Sequence, residues 1–212
     1  MSQWIDLSIA VDENIPSFND ASPFSRIIRK SVDKGDGYNE SWLDIGCHSA
    51  THVDAPYHFN NNGKRIHQLD LDLLMGECYV VEIFNKSIIT YNDLCGLNIP
   101  EGTKRLIIKT DNTTIGFEPK FRKDFVGLDV SAVKFFDERG ILLVGTDYLA
   151  ISKYDQAAAV HTAFFENNER IAVEALYLND VFEGKYELIC LPIRLKDADG
   201  APARVVARRL DA

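Results

Sequence analysis

Apolar and polar positions alternate with period two in many short stretches of the chain and follow a helical period in few, so strands should dominate. Residues 4–11 alternate as a first strand, and 12–24, with Pro16 and Pro23 among Ser, Asn and Asp, read as an extended loop. Residues 26–32 form a strand that ends in the DKGDG turn at 33–37, and 41–47 lead onward. An apolar patch at 69–74 precedes the strand 78–84, residues 90–97 suit a short helix, and 105–109 and 141–144 read as buried strands. The pattern predicts two principal helices. One runs over 129–139, starting at Asp129 or Ser131 and capped by Gly140; the other, over 154–165, sets Ala158, His161 and Phe165 at helical spacing. Strands at 170–178, 186–195 and 203–210 complete the chain, the last two flanking DADG at 197–200, a hairpin signal. Many strands with two main helices predict an α/β fold with a mixed sheet or barrel-like core rather than a regular βαβ repeat.

One alternation carries a chemical consequence. In strand 170–178 Ala172, Glu174 and Leu176 share a face, which sets Glu174 in strongly apolar surroundings. Burying that carboxylate unpaired costs several kcal/mol or forces its protonation, so a metal or another cation is its expected partner. His161, alone on its helix, faces inward or caps.

The densest chemistry lies in residues 46–59, GCHSATHVDAPYHF, which hold His48, His52, Asp54 and His58 in a chain with five histidines. Imidazoles and a carboxylate without cysteine are the ligand set of Zn²⁺ or Mn²⁺ and leave the ion acidic enough to activate water. All four residues fall on even positions and would share one face of an extended strand. That strand cannot hold one ion: His48 to Asp54 would span roughly 20 Å, whereas two donors on a common metal lie about 3 Å apart. The segment therefore bends, with Ser49 and Ala50 as the small residues of a compact turn, and Pro56 stops the sheet ladder. His67, beside Lys64 and Arg65, is expected outside this cluster as a surface or structural residue.

Composition narrows the class. The length and hydrophobic content suit one domain, 1–212, and a net charge of −9 offers no cationic surplus for nucleic acid or an anionic membrane. Residues 1–16 lack the basic and apolar regions of a signal peptide and no window approaches a membrane span, which makes a cytoplasmic location the expectation. Cys47, Cys78, Cys95 and Cys190 are too scattered for a disulfide framework. In the loop 12–24, Phe18 and Phe24 either cover a substrate or pin the loop to the body, and with Tyr57 they suit a small aromatic substrate. Asp147, at a strand end, either orients a ligand or serves a turn.

These residues together resemble the cyclase-like metal hydrolase family that contains bacterial kynurenine formamidase and isatin hydrolase. The carriers are IDLS at 5–8, HSATHVDAPYHF at 48–59, VGTD at 144–147, His161 followed by Glu174, and LPIRLKDADGAPARVVA at 191–207. The resemblance implies a swivelling β/β/α-type fold, one or two Zn²⁺ or Mn²⁺ ions per subunit, and a homodimer or homotetramer in which the Phe18 loop acts at its own or a neighbour's site. It also implies His48, His52 and Asp54 as ligands of a first ion, Asp54, His161 and Glu174 of a second, and His58 as the histidine that handles the proton of the catalytic water, a task Glu174 could share. Two departures stand out: Ala50 replaces the glycine of H-x-G-T-H, and the polar run 166–170 replaces a tighter, glycine-containing turn.

The expected reaction is metal-dependent hydrolysis of a formamide or lactam, foremost N-formylkynurenine to kynurenine and formate; isatin, cyclic imides and lactones are the alternatives, and a non-catalytic metal-dependent binding protein the rival class. A serine hydrolase lacks its G-x-S-x-G elbow here, and H-E-x-x-H is absent.

Overall fold

The computed structural model describes residues 3–20, 24–117 and 120–210; Pro23 of the expected loop lies outside them. The strands are β1 (Trp4–Asp6), β2 (Ser25–Lys30), β3 (Glu40–Asp44), β4 (His52–Asp54), β5 (Met75–Ile83), β6 (Ile88–Ile89), β7 (Arg105–Thr110), β8 (Gly127–Leu128), β9 (Leu143–Thr146), β10 (Ile171–Glu174), β11 (Gly184–Pro192) and β12 (Gly200–Arg209). The α-helices are α1 (Leu71–Leu74), α2 (Tyr91–Cys95), α3 (Asn112–Ile115), α4 (Val130–Arg139) and α5 (Ala157–Glu166).

The main sheet runs β1-β12-β11-β5-β7-β9-β10-β4, and a further pairing of β4 with β12 closes seven of its strands into a barrel. Strands β5, β7, β9 and β10 are mutually parallel, while β4, β11 and β12 pair antiparallel. Alternation separates two cores. Val53, Ile107, Val173 and Val205 pack together in one cluster, while their strand neighbours Leu106, Ile108 and Ala172 join Phe136, Val160 and Phe164 of the long helices in another.

Local signals placed the helices. Asp129 caps α4 through the N–H groups of Ser131 and Ala132, and Gly140 ends it in the left-handed conformation at φ 66°. Thr90 opens α2 in a reciprocal capping box with Asp93. The strand expected over 170–178 stops at Glu174, because Ala175 turns left-handed at φ 57° and breaks the pleat. The first strand likewise shortens to three residues, continuing as an isolated bridge from Ser8 to Leu176. The four cysteines are free thiols, and no described helix is long and apolar enough to cross a membrane.

Candidate metal centre

The three-residue strand β4 is the foundation of the site. It is wedged between β10 and β12, with His52 paired to Glu174 and Asp54 to Gly200. Period two sends Val53 into the barrel core and leaves His52 and Asp54 on the opposite face, where Glu174 also points. His52 Nε2 consequently lies 3.3 Å from both Asp54 Oδ1 and Glu174 Oε2.

The bend required by the distance argument is present upstream. The chain turns at 47–51, with Ala50 at φ 55°. Left-handed backbone costs a non-glycine residue about 1–2 kcal/mol, and the fully buried Ala50 methyl recovers about 0.8 kcal/mol, so alanine is tolerated where glycine would be unstrained. The turn brings His48 Nδ1 to 2.6 Å from Asp54 Oδ1. Downstream, Pro56 opens a 3₁₀ turn, Pro56–His58, which ends the ladder and returns His58 to stack on His48 at 4.0 Å between ring centroids.

The remaining members come from far along the chain. His161, on α5, holds its Nδ1–H on the Ala157 carbonyl at 2.8 Å and faces Glu174 Oε1 with Nε2 at 3.3 Å. Glu174 Oε1 also accepts the Ile151 N–H at 2.7 Å. Among the described residues two donor groups result, His48–Asp54–His58 and His52–Asp54–Glu174, the ligand atoms of each lying within 4.8 Å of one another, and Asp54 belongs to both. This grouping differs from the one the resemblance implies, in which His52 goes with His48 and His161 with Glu174.

The electrostatics fit a cation. Burial is the largest influence on each carboxylate and works to raise its pKa, yet the charges of His48 and His52 hold Asp54 well below the usual range, and the facing rings of His161 and His52 lower Glu174. Burial would depress His48, but Asp54 and Asp199 outweigh it and raise it to about 9; His52 is raised against its burial by Asp54 and Glu174, and His161 by Glu174 and Asp54. The buried carboxylates thus draw positive charge to this spot, and buried His52 Nε2 and Asp54 Oδ2 have no hydrogen-bond partner. Unpartnered donor atoms of the right chemistry, converging on one point, suit a divalent ion.

The chain is 33% identical to a kynurenine formamidase of Bacillus cereus over 98% of both chains, and 37% identical to cyclase-like protein 3 of Arabidopsis thaliana over 95% of this chain and 78% of that one. The Cyclase family model matches residues 5–153. The chain belongs to the cyclase family of metal-dependent hydrolases. Among solved structures, a potential metal-dependent hydrolase with cyclase activity covers all of both chains at 27% identity and a TM-score of 0.85. Isatin hydrolase A from Ralstonia solanacearum shares the fold at 18% identity, with a TM-score of 0.81 over 97% of this chain and 91% of that one.

In this cyclase-family chain a cavity of about 180 Å³ opens beside the donor cluster, lined by Phe18, Phe59, Leu149, Ala150 and the site histidines His48, His58 and His161. Phe18 sits at the cavity of its own chain, 4.9 Å from the Phe121 ring. Phe24 and Tyr57 are not among the lining residues: Phe24 is half-buried at the start of β2, and Tyr57 stacks under the Arg65 guanidinium at 4.0 Å. His67 stands outside the cluster, its Nδ1 accepting the Asp197 N–H. Asp147 is buried and accepts hydrogen bonds from Thr110, Asn112 and Thr113, so it fastens the loop after β7.

Sequence reasoning passed over Phe59, Leu149 and Ala150, which carry no chemical signature, and Asp199, whose DADG context reads as a turn. It also passed over Gly200. A Cβ there would stand 2.7 Å from the His48 ring and 2.9 Å from the Val53 carbonyl. Gly200→Ala should therefore push His48 from the cluster and weaken metal retention, with an overpacking cost of about 1–3 kcal/mol in the thermal melt. Unchanged metal stoichiometry after dialysis would show that the ring has room to move.

Proposed function

We propose that the chain hydrolyses the formamide of a small aromatic substrate, N-formylkynurenine, releasing kynurenine and formate. The observation that carries this reading is the pair of donor groups sharing Asp54 beside an aromatic-lined cavity. The likeness to kynurenine formamidase over nearly the whole chain supports the choice of substrate.

His48, His52 and Asp54, with Glu174 and His161, would hold Zn²⁺ or Mn²⁺, as one ion or two. When bound, such an ion supplies Lewis acidity that brings the pKa of water toward neutrality and polarises a carbonyl. Glu174 suits holding rather than proton transfer, since Oε1 is engaged by the Ile151 N–H and Oε2 faces His52. His58 suits the proton-carrying task. Burial, reinforced by the charges of His48 and His161, lowers its pKa despite Asp54, so it is neutral at physiological pH. Its Nε2 can take a proton from the attacking water and return it to the departing aryl nitrogen. Phe18 and Phe59 wall the cavity and keep bulk water from a flat ring. Protein reconstituted separately with Zn²⁺ and Mn²⁺ should hydrolyse N-formylkynurenine faster than isatin, cyclic imides or lactones. Turnover of one of those with N-formylkynurenine left intact would replace the substrate assignment.

The assembly proposed with this reading is a homo-oligomer joined through β2 and β3. This hairpin pairs only with itself among the described residues, and Ile27, Ile28, Trp42 and Leu43 are between 51% and 63% exposed. A lone two-stranded ribbon is marginal in water, so its apolar side chains need cover. A second copy fits, because residues 25–44 carry four basic and four acidic side chains and can face themselves across a twofold axis without net repulsion. Light scattering should give a multiple of the 23.9 kDa chain, and Trp42→Glu with Leu43→Lys should give the monomer. A monomeric parent protein would refute the assembly.

A further inference from the structure

We infer that Asp199 is a positioning residue that fixes the rings of His48 and His58 at the metal centre. The inference rests on the reading of His48 as a ligand and His58 as the proton carrier. Asp199 ends the loop 193–199 and is held by its backbone on both sides: its carbonyl accepts the Ala55 N–H at 2.9 Å, and the following residue, Gly200, pairs with Asp54. Its carboxylate Oδ2 stands 2.7 Å from His48 Nε2 and 3.5 Å from His58 Nδ1. One oxygen, on a clamped backbone, thus faces both imidazoles.

Asp199 and Asp54 are carboxylates that only accept hydrogen bonds, so both ring nitrogens of His48 donate, Nε2–H to Asp199 and Nδ1–H to Asp54; a cation among the donors would take the place of the Nδ1 proton while Asp199 keeps the one on Nε2. The other candidate ligand imidazoles follow the same rule with weaker partners. His52 donates its Nδ1–H to the Ala50 carbonyl at 2.9 Å and His161 its Nδ1–H to the Ala157 carbonyl, and in both cases Nε2 is left for the centre. His48 is tied instead by a charged group 151 positions away in sequence, which both orients its ring and makes it a better electron donor. The same oxygen favours the proton of neutral His58 on Nδ1, leaving Nε2 open to the cavity. Gly200 completes the arrangement by giving the His48 ring the space a side chain would take.

The test compares Asp199→Ala, Asp199→Asn and, as a control in the same loop, Asp197→Asn, whose carboxylate lies toward Arg65. Zn²⁺ affinity is read by competition with a chromophoric chelator, and the exchange of the His48 Nε2–H proton by ¹⁵N NMR of histidine-labelled, zinc-loaded protein; kcat and KM are measured alongside the metal-free melting temperature. Asp199→Ala should weaken Zn²⁺ binding about 10–100-fold and lower kcat with KM little changed, and the Nε2–H proton of His48, stripped of its acceptor, should exchange faster with solvent. Asp199→Asn, whose amide oxygen still accepts from Nε2–H, should lose less on each count, and Asp197→Asn should match the parent. Parental affinity, Nε2–H exchange and kcat in Asp199→Ala, or a change confined to its melting temperature, would overturn the role. If Asp199→Ala does not fold, Asp199→Asn decides alone, and parental values in it would overturn the role equally. Failure of the reading beneath looks different: the parent would bind neither Zn²⁺ nor Mn²⁺, or His48→Ala would bind as tightly as the parent.

Discussion

Asp54→Asn is expected to empty the metal centre and abolish turnover together. Asp54 is the one member of both donor groups, and its Oδ1 lies 2.6 Å from His48 Nδ1 and 3.3 Å from His52 Nε2. The amide preserves its shape but removes the buried charge, leaving cation and imidazoles with Glu174 as the sole carboxylate at the heart of the cluster. Losing one partner of a buried charged arrangement costs about 3–5 kcal/mol, which corresponds to roughly 10²–10⁴ in metal affinity. Elemental analysis after dialysis should find the variant free of transition metal while the parent retains it, and hydrolysis should fall in proportion. Full metal content in Asp54→Asn would place the ion elsewhere. The melting temperature of the metal-free forms separates this loss from unfolding.

His58→Ala should produce the opposite separation, with metal retained and turnover lost. The ring lies against the cluster rather than within its buried heart: it is half-buried, stacks on His48 and lines the cavity, and the buried group of His52, Asp54 and Glu174 is complete without it. Removal of a positioned acid–base group typically lowers the rate by about 10²–10⁴-fold. The fall should appear in kcat, with KM little altered, and added imidazole should restore part of it by entering the space vacated in the cavity. Parental activity in His58→Ala would remove the proton-transfer role, whereas loss of metal would make His58 a ligand of the His48–Asp54–His58 group.

These two outcomes, if obtained, divide the motif at 46–59 into residues that hold and a residue that reacts. Sequence spacing alone could show only that the four side chains were numerous, close and of metal-binding type. The strand pattern raised the same question for Glu174 by setting a carboxylate among apolar residues, and the answer came from β4, whose His52 is its direct partner across the sheet.

Much of this protein was determined by local sequence. Short apolar runs and period-two alternation marked most strands of the barrel, Asp129 and Gly140 bounded α4 through their capping chemistry, and the small residues at 49–50 with Pro56 marked where the motif bends. Such features depend on neighbours within a few positions, and those neighbours are readable in order along the chain. Tertiary structure alone decided which donors meet. Closure of the sheet sets β4 between β10, more than a hundred residues later, and β12, and this brings Glu174 opposite His52 and Asp199 against His48. It also separated the aromatic side chains, sending Phe18 to the cavity and Tyr57 under Arg65. Strand partners follow from how the apolar faces of the whole sheet close around a common core, a global packing outcome that no short window of residues encodes.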